Sequence, residues 1–401
     1  MNKGPKTFYF IGGEPSSFLT MVNMARLLKM IDPDYRVEAV IPYHHFLAQM
    51  DVREFLDEFD EVWHLPTCDF QRNILQGVLR GRAFKRALRN IRFRQHSIFF
   101  AFISVEMSVN LAIQFISERL KPAKIILLTY AKKQIEITKF GGRLSRLLTA
   151  LNQFYSFVLG CYPMRSYVSA SGQFMYREHV SALPFPRVAL LENPCCGNEA
   201  RKADAAAPMA LPYPVIARRK EDQTAAPKKF VLFFGDASMA GFFTQLNGEF
   251  LYEKTAQYAK AIKDYYGKKN IPVFYKPHPF DGEKIMPGCE GAGFDFFKEK
   301  INAEMTFSKY HDRLAAVYTV SSHSVLFGSK NGIPSYWAFE LCFSDEDLKK
   351  SFREVTVQCE SRLLKSLKSL DEIGSFDDDK RQIDEKELIK AWETGMLALM
   401  E

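Results

Sequence analysis

The residues best suited to chemistry in this chain lie between positions 272 and 279, which read Pro-Val-Phe-Tyr-Lys-Pro-His-Pro. Residues 273–275 form an apolar run that is typical of a short buried strand. The two prolines that flank His278 forbid a helix and remove two backbone donors, so the strand must end near Lys276. His278 is therefore predicted at the carboxyl end of a strand, where ligands bind in open α/β sheets. A plain turn is the alternative interpretation.

A second polar group follows a later strand. Residues 315–320 are apolar and typical of a strand, and Ser321 and Ser322 come directly after them, ahead of a helical pattern over 325–331. Hydroxyls at the start of a helix bind anions well, because the first N–H groups are unpaired and the dipole is positive there. His278 and the two serines therefore predict a phosphate-binding clamp, although a serine pair before a helix also fits a simple N-cap.

These pairs, His278-Pro279 and Ser321-Ser322, lie 43 positions apart and resemble the His-Pro and Ser-Ser motifs of bacterial sialyltransferases, polysialyltransferases and related transferases that use CMP-activated sugars. The likeness covers roughly residues 229–340, and the first half matches only in its βα rhythm. It implies an α/β fold of GT-B architecture, with two doubly wound, Rossmann-like domains that face each other across a cleft. It also implies a CMP-sugar donor, no cofactor, no metal, and direct displacement with inversion.

Length and composition fit two soluble domains. The chain has 401 residues, of which 47% are hydrophobic and 25% charged. Seven scattered cysteines without a Cys-x-x-Cys pair indicate a reducing compartment. The net charge of +7 favours an acidic partner, whether a polyanionic glycan, a nucleotide or an anionic membrane. We expect no signal peptide and no membrane span, and hence a cytoplasmic protein, with peripheral contact to the inner face of the plasma membrane as an added option.

The order of the patterns predicts the domain organisation. Apolar strands alternate with helical patterns through residues 1–196, which we expect to form the acceptor-binding domain. Residues 197–228 are rich in Ala, Pro and charged residues and predict a linker. Residues 229–375 should form the CMP-sugar domain, and 376–401 a helix that packs back on the first domain.

Further residues of the second domain are predicted to bind the nucleotide. Small residues after the strand 230–234 would let backbone N–H groups approach a ligand. Lys276 adds a cation beside His278, unless its side chain faces the other side of the sheet. Residues 303–307 predict a short strand, and Ser308 follows it where the resembled families place an acidic ribose contact. The full set is Gly235, Asp236, Ser238, Lys276, Pro279, Ser308, Ser321 and Ser322.

Glycosyl transfer also needs a base to take the proton of the acceptor hydroxyl. The resembled families carry an acidic pair before a glycine in the first domain, and one of its carboxylates is the general base. This chain lacks that motif. Glu136 is the one carboxylate between positions 131 and 142 and is therefore the predicted catalytic base, with Glu106 as the alternative. His278 is the second predicted catalytic residue.

A basic helix is predicted over residues 69–95. Apolar residues, Leu79 and Leu88 among them, recur at helical spacing, and arginines occupy the other face. Arg82, Arg86 and Arg89 are predicted to bind an acidic acceptor; an anionic membrane or plain solvation are the alternatives. Nucleic acid is not expected as a partner, because no aromatic residues are interleaved on the basic face.

These features predict a metal-independent, inverting glycosyltransferase that moves a sialic acid from CMP-sialic acid to a capsule or lipooligosaccharide type of surface glycan. A CMP-Kdo transferase or a CDP-alcohol phosphotransferase of similar fold is the second hypothesis. The third is a non-catalytic glycan-binding or assembly protein, which the missing acidic motif keeps open.

Overall fold

The computed structural model describes residues 7–12, 15–42, 50–66, 74–102, 107–120, 124–130, 164–168, 174–178, 187–191, 209–212, 229–237, 250–278, 281–359, 361, 363–376 and 385–400. These residues form two parallel sheets with helices on their faces, and a separate antiparallel hairpin. The protein is an α/β protein with two Rossmann-like domains, which confirms the predicted fold class.

The first sheet consists of parallel strands with near-continuous apolar sequences. They are β1 Thr7–Ile11, β2 Arg36–Pro42, β3 Glu61–Leu65, β4 Ile98–Phe102, β5 Lys124–Tyr130, β8 Arg187–Leu191 and β9 Met209–Pro212; β6 Met164–Val168 and β7 Phe174–Glu178 form the hairpin. The order across the sheet is β3-β2-β1-β4-β5-β8-β9. Strands β1 and β4 are buried along their whole length, as the central strands of a parallel sheet must be.

Helices cover both faces of this sheet. They are α1 Pro15–Ile31, α2 Arg53–Leu56, α3 Ile74–Asn90 and α4 Met107–Arg119. Phe8 and Phe100 belong to the core that contains the side chains of α1, whereas Tyr9 and Phe99 belong to the core that contains Phe84 of α3. Because neighbouring side chains of a strand point to opposite faces, α1 and α3 lie on opposite sides of the sheet.

The second sheet repeats this winding. Its strands are β10 Phe230–Phe234, β11 Val273–Lys276, β12 Asp295–Phe296, β13 Leu314–Thr319, β14 Ser335–Trp337 and β15 Leu364–Ser366, all parallel, in the order β12-β11-β10-β13-β14-β15. Its helices are α5 Tyr252–Gly267, α6 Ala303–Tyr310, α7 Ser324–Lys330, α8 Phe339–Cys342 and α9 Glu346–Cys359. The strand order reverses between β10 and β13, so this sheet has its switch point there.

The two domains touch through α1 and the segment around α2. Arg26 of α1 donates a hydrogen bond from Nη1 to Ser308 Oγ at 2.9 Å and forms an ion pair with Glu58 at 3.0 Å. The backbone N–H of Asp51 donates to the carbonyl of Lys300, and the N–H of Lys300 donates to the Asp51 carboxylate at 3.1 Å. Helix α10, Glu385–Met400, lies against β9 and α1.

Three expectations about elements are corrected. The strand predicted over 303–307 is wrong, since these residues begin α6; Asn302 caps that helix by accepting the Met305 N–H at 2.8 Å. The predicted linker contains β9, which pairs with β8 of the first sheet. The basic helix ends at Asn90, and the chain then turns back to the sheet, where the Arg94 N–H donates to the Tyr9 hydroxyl.

Candidate functional site at the carboxyl edge of the second sheet

Three loops with polar residues meet at one edge of the second sheet. Asp236 follows β10, His278 follows β11, and Ser321 and Ser322 follow β13. Strand β10 lies between β11 and β13, and all three strands run parallel, so the three loops are neighbours at the carboxyl edge. This edge includes the switch point, where doubly wound sheets open a crevice for ligands.

Thr319 ties the two strands of the switch point together. Its hydroxyl donates to the carbonyl of Phe234 at 2.9 Å and accepts the N–H of Ser322 at 3.2 Å. The first bond fixes the end of β13 to the end of β10, and the second fixes the turn that carries the serines. The serine turn is therefore held by both strands.

Gly235 is required by packing. Its N–H donates to the carbonyl of Lys276 at 3.0 Å, and a Cβ at this position would lie 1.8 Å from the hydroxyl oxygen of Tyr275. The Tyr275 side chain cannot easily move away from an added Cβ, because it is buried and its hydroxyl accepts the Met286 N–H at 2.7 Å. The Gly235 N–H, which was predicted to approach the nucleotide, thus donates within the sheet to Lys276.

Asp281 joins two of the loops and was missed by sequence reasoning. Its carboxylate accepts the Ala237 N–H at 2.7 Å, and its own N–H donates to the carbonyl of His278 at 2.8 Å. The side chain is only 4% exposed. The sequence signal was the Asp281-Gly282 pair, a turn dipeptide whose glycine has a φ of +61°.

His278 is half-buried beside this carboxylate. Burial lowers the pKa of its imidazole, the Asp281 charge raises that pKa, Lys276 lowers it again, and the net shift is downward. The imidazole is therefore neutral at neutral pH and offers one N–H donor. A bound phosphate would oppose the shift, because a nearby anion favours the protonated ring.

The Lys276 side chain is buried against Glu299 and Phe297. Its ammonium is 3% exposed, donates to the Glu299 carbonyl at 3.3 Å and lies 4.9 Å from the centre of the Phe297 ring. Burial lowers the pKa of Lys276 to about 7, against the opposing effects of Glu299 and Asp51. The ammonium is thus already engaged by Glu299 and Phe297, and its contact with a nucleotide stays a prediction.

The serine turn contains three hydroxyls rather than two. Ser322 Oγ accepts the N–H of Ser324 at 3.2 Å, whereas the hydroxyls of Ser321 and Ser324 are buried and have no hydrogen-bond partner within the described residues. A buried hydroxyl without a partner costs about 1–3 kcal/mol. Such hydroxyls are what a bound anion would satisfy. Ser324 was not predicted, although it stands in the same serine run.

Ser308 lies elsewhere. It is 1% exposed on α6, and its hydroxyl accepts the hydrogen bond from Arg26 of the first domain. Its ribose contact stays a prediction. That prediction assumed that Ser308 follows a strand, whereas Ser308 lies within a helix. Arg82, Arg86 and Arg89 are exposed on α3, away from this edge. Glu136, Ser238, Pro279 and the alternative base Glu106 lie outside the described residues.

Among the residues that the structure describes, no group of three or more His, Cys, Asp or Glu side chains could hold a metal ion. No helix in the described part of the chain is long and apolar enough to cross a membrane.

Comparisons with known proteins add the following. No family model matches the sequence, and no curated protein matches it. Among solved structures, a UDP-N-acetylglucosamine 2-epimerase matches at a TM-score of 0.45 and 11% identity, over 98% of this chain and 96% of that one. A family 9 glycosyl transferase from Veillonella parvula matches at 0.41 and 14%, over 99% of both chains. A sialyltransferase from Photobacterium damsela matches at 0.45 and 11%, over 91% and 82%. Likenesses this distant say nothing about the reaction.

Proposed function

We propose that this protein is an inverting glycosyltransferase that moves a sugar, sialic acid in the first instance, from a CMP-activated donor to a surface glycan. The observation that carries the proposal is the meeting of His278, Asp236 and the serine turn at the switch point of the second sheet. The sequence resemblance suggests the nucleotide and the sugar, and the arrangement of the three loops supports this edge as the donor site.

The serine turn and His278 would stabilise the leaving group. Departure of CMP places growing negative charge on its phosphate, and donors fixed in advance at a desolvated edge stabilise that charge. The buried hydroxyls of Ser321 and Ser324 and the N–H of the neutral His278 imidazole are such donors. Asp281 would hold the His278 loop in place through its bond to Ala237.

The acceptor would be deprotonated by a carboxylate of the first domain. Glu136 is the proposed base, and Glu106 would take the role if Glu136→Gln left transfer intact. A direct displacement of this kind inverts the anomeric centre. The acceptor is proposed to be a surface glycan, the class that the sequence resemblance implies.

Calorimetric titration with CMP, UMP and GMP in the presence of EDTA tests the donor site. We expect selective CMP binding that is lost in His278→Ala and in Ser321→Ala, because both remove donors of the clamp. His64→Ala is the matched control, since His64 is exposed on β3 of the first domain. Absence of any nucleotide binding by the unaltered protein would defeat the proposal and favour a non-catalytic glycan-binding or assembly protein.

A second assay separates the enzymatic alternatives. CMP-Neu5Ac, CMP-Kdo and CDP-glycerol are offered in turn, and release of the nucleotide is measured with and without acceptor. Turnover of CMP-Neu5Ac alone supports the sialyltransferase, turnover of CMP-Kdo supports a Kdo transferase, and turnover of CDP-glycerol supports a phosphotransferase of similar fold.

A further inference from the structure

The net charge of the protein is concentrated in one short stretch. Between positions 74 and 105 there are seven Lys and Arg residues and no Asp or Glu. The whole chain has 54 basic and 47 acidic residues, so the 47 basic residues elsewhere are matched by an equal number of acidic ones. The rest of the chain is therefore neutral in sum, and α3 with the residues that follow it carries a net charge of +7.

The arginines of this stretch form an exposed stripe. Arg82, Arg86 and Arg89 are spaced at four and three residues, which places them on one side of α3, and all three are exposed. None of them makes an ion pair within the described part of the chain. The helix is held to the sheet from its other side by Phe84 and Leu88.

This stripe lies far from the candidate donor site in the topology. Helix α3 covers the face of the first sheet opposite to α1, and α1 is the helix that contacts the second domain. The crossover from β3 to β4 runs α3 back along the sheet, so its last turns lie towards the amino edge of the strands. The stripe therefore faces outward, away from the cleft in which an acceptor would react.

We propose that the outward face of α3 is a docking surface for an anionic phospholipid membrane, with Arg82, Arg86 and Arg89 on the lipid phosphates. Guanidinium groups match phosphate oxygens in charge and geometry, and basic residues near an anionic leaflet add their attractions. The grouping of Leu79 with the packing residues was wrong: Leu79 precedes Arg82 by three residues on the same side and is 63% exposed. An apolar side chain gains from burial in the headgroup region of a bilayer, whereas a polyanionic glycan offers it little.

Vesicle cosedimentation tests this surface on the full chain. The probes are vesicles of phosphatidylglycerol and phosphatidylcholine in equal parts, and vesicles of phosphatidylcholine alone. We expect binding to the first only, released by salt. The triple variant Arg82→Gln, Arg86→Gln, Arg89→Gln should bind roughly 100-fold more weakly. The control Lys254→Gln, Lys260→Gln, Lys268→Gln removes the same charge from exposed positions on and directly after α5 and should bind as the unaltered protein does.

Several results would overturn the proposal. One is that the unaltered protein fails to bind the anionic vesicles, and another is that the arginine variant binds them as well as the unaltered protein does. The third is an equal loss of binding in both triple variants, because this would show a response to net charge alone. Retention on heparin that needs the three arginines, without vesicle binding, would assign the stripe to a polyanionic glycan instead. Thermal unfolding of both variants verifies that these exposed substitutions leave the fold intact. The outcome does not depend on CMP binding, so this proposal and the proposed function fail separately.

Discussion

The carboxyl edge of the second sheet and the outward face of α3 hold their polar groups in opposite ways. At the edge, Asp236, Asp281 and Ser321 are nearly buried, and hydrogen bonds between loops fix the segments around them. On α3, the arginines project into solvent without ion pairs in the described residues. Electrostatic interactions are strong in the desolvated setting, whereas in the exposed one they are weak and screened by salt. The first arrangement suits chemistry on one bound molecule, and the second suits attraction to an extended charged surface.

The same contrast exists on a smaller scale within β11 and the loop after it. Lys276 and His278 are two residues apart, and burial lowers the pKa of both. His278 remains half-buried beside Asp281, at the open edge, whereas Lys276 is enclosed between Glu299 and Phe297. Lowered pKa values alone therefore do not distinguish a functional residue from a structural one, and the surroundings of the side chain do.

The largest effect should come from His278→Ala, which removes a donor from the open edge. We expect turnover of CMP-sialic acid to fall by about 10²–10³-fold, as when one oxyanion donor is removed from a preorganised site. Release of CMP measures this, with His64→Ala as the control. Near-normal turnover in His278→Ala would mean that His278, like Lys276, has a structural role and not a functional one.

A smaller effect, on stability rather than on turnover, is expected for Gly235→Ala. The added Cβ meets the Tyr275 hydroxyl at 1.8 Å, and the ring is enclosed by Phe233 and Phe294. Overpacking of this kind costs about 1–3 kcal/mol of unfolding free energy, which urea titration measures. Gly267→Ala is the control, since a Cβ there has no neighbour within 4 Å. Equal stability of the two variants would show that the ring moves aside freely.

Sequence reasoning located elements wherever local composition decides structure. Strand β10 was bounded correctly, and β11 and β13 to within one residue, because each is an apolar run that ends at glycine, proline or polar residues. The residues 303–307 could have formed a strand or a helix on composition, and Asn302 settled the matter as a helix cap. Strands β9 and β15 were missed, because their short sequences become strands only by pairing with β8 and β14.

The candidate site divides in the same way. His278, Ser321 and Ser322 were found because they directly follow strands, and the position of a strand end is readable from its neighbours in sequence. Asp281 was missed because its role depends on a bond to Ala237, 44 positions away. The sequence could not predict the side of the sheet to which the Lys276 side chain points, because this depends on which face of β11 packs against Phe297.

Lys276→Met tests the enclosed member of the pair. The folded pKa of Lys276 is about 7, below its unfolded value of 10.5, so the unfolded chain holds a proton that the folded chain lacks between these pH values. Lys276 therefore makes the protein more stable as pH rises through this range, by at most about 1.4 kcal/mol per pH unit. The free energy of unfolding, measured in urea at pH 7, 8 and 9, should therefore rise less steeply with pH in the methionine variant.

Lys298→Met is the control for this measurement. Lys298 is exposed and directly precedes Glu299, whose carbonyl accepts from Lys276, and its loss should leave the slope unchanged. A Lys276→Met protein with the slope of the unaltered chain would mean that the ammonium is solvated. Lys276 would then resemble His278 in its access to the edge, and its ammonium could contact a nucleotide there. CMP titration of the same variant separates these readings, because an enclosed ammonium contributes nothing to the affinity for CMP.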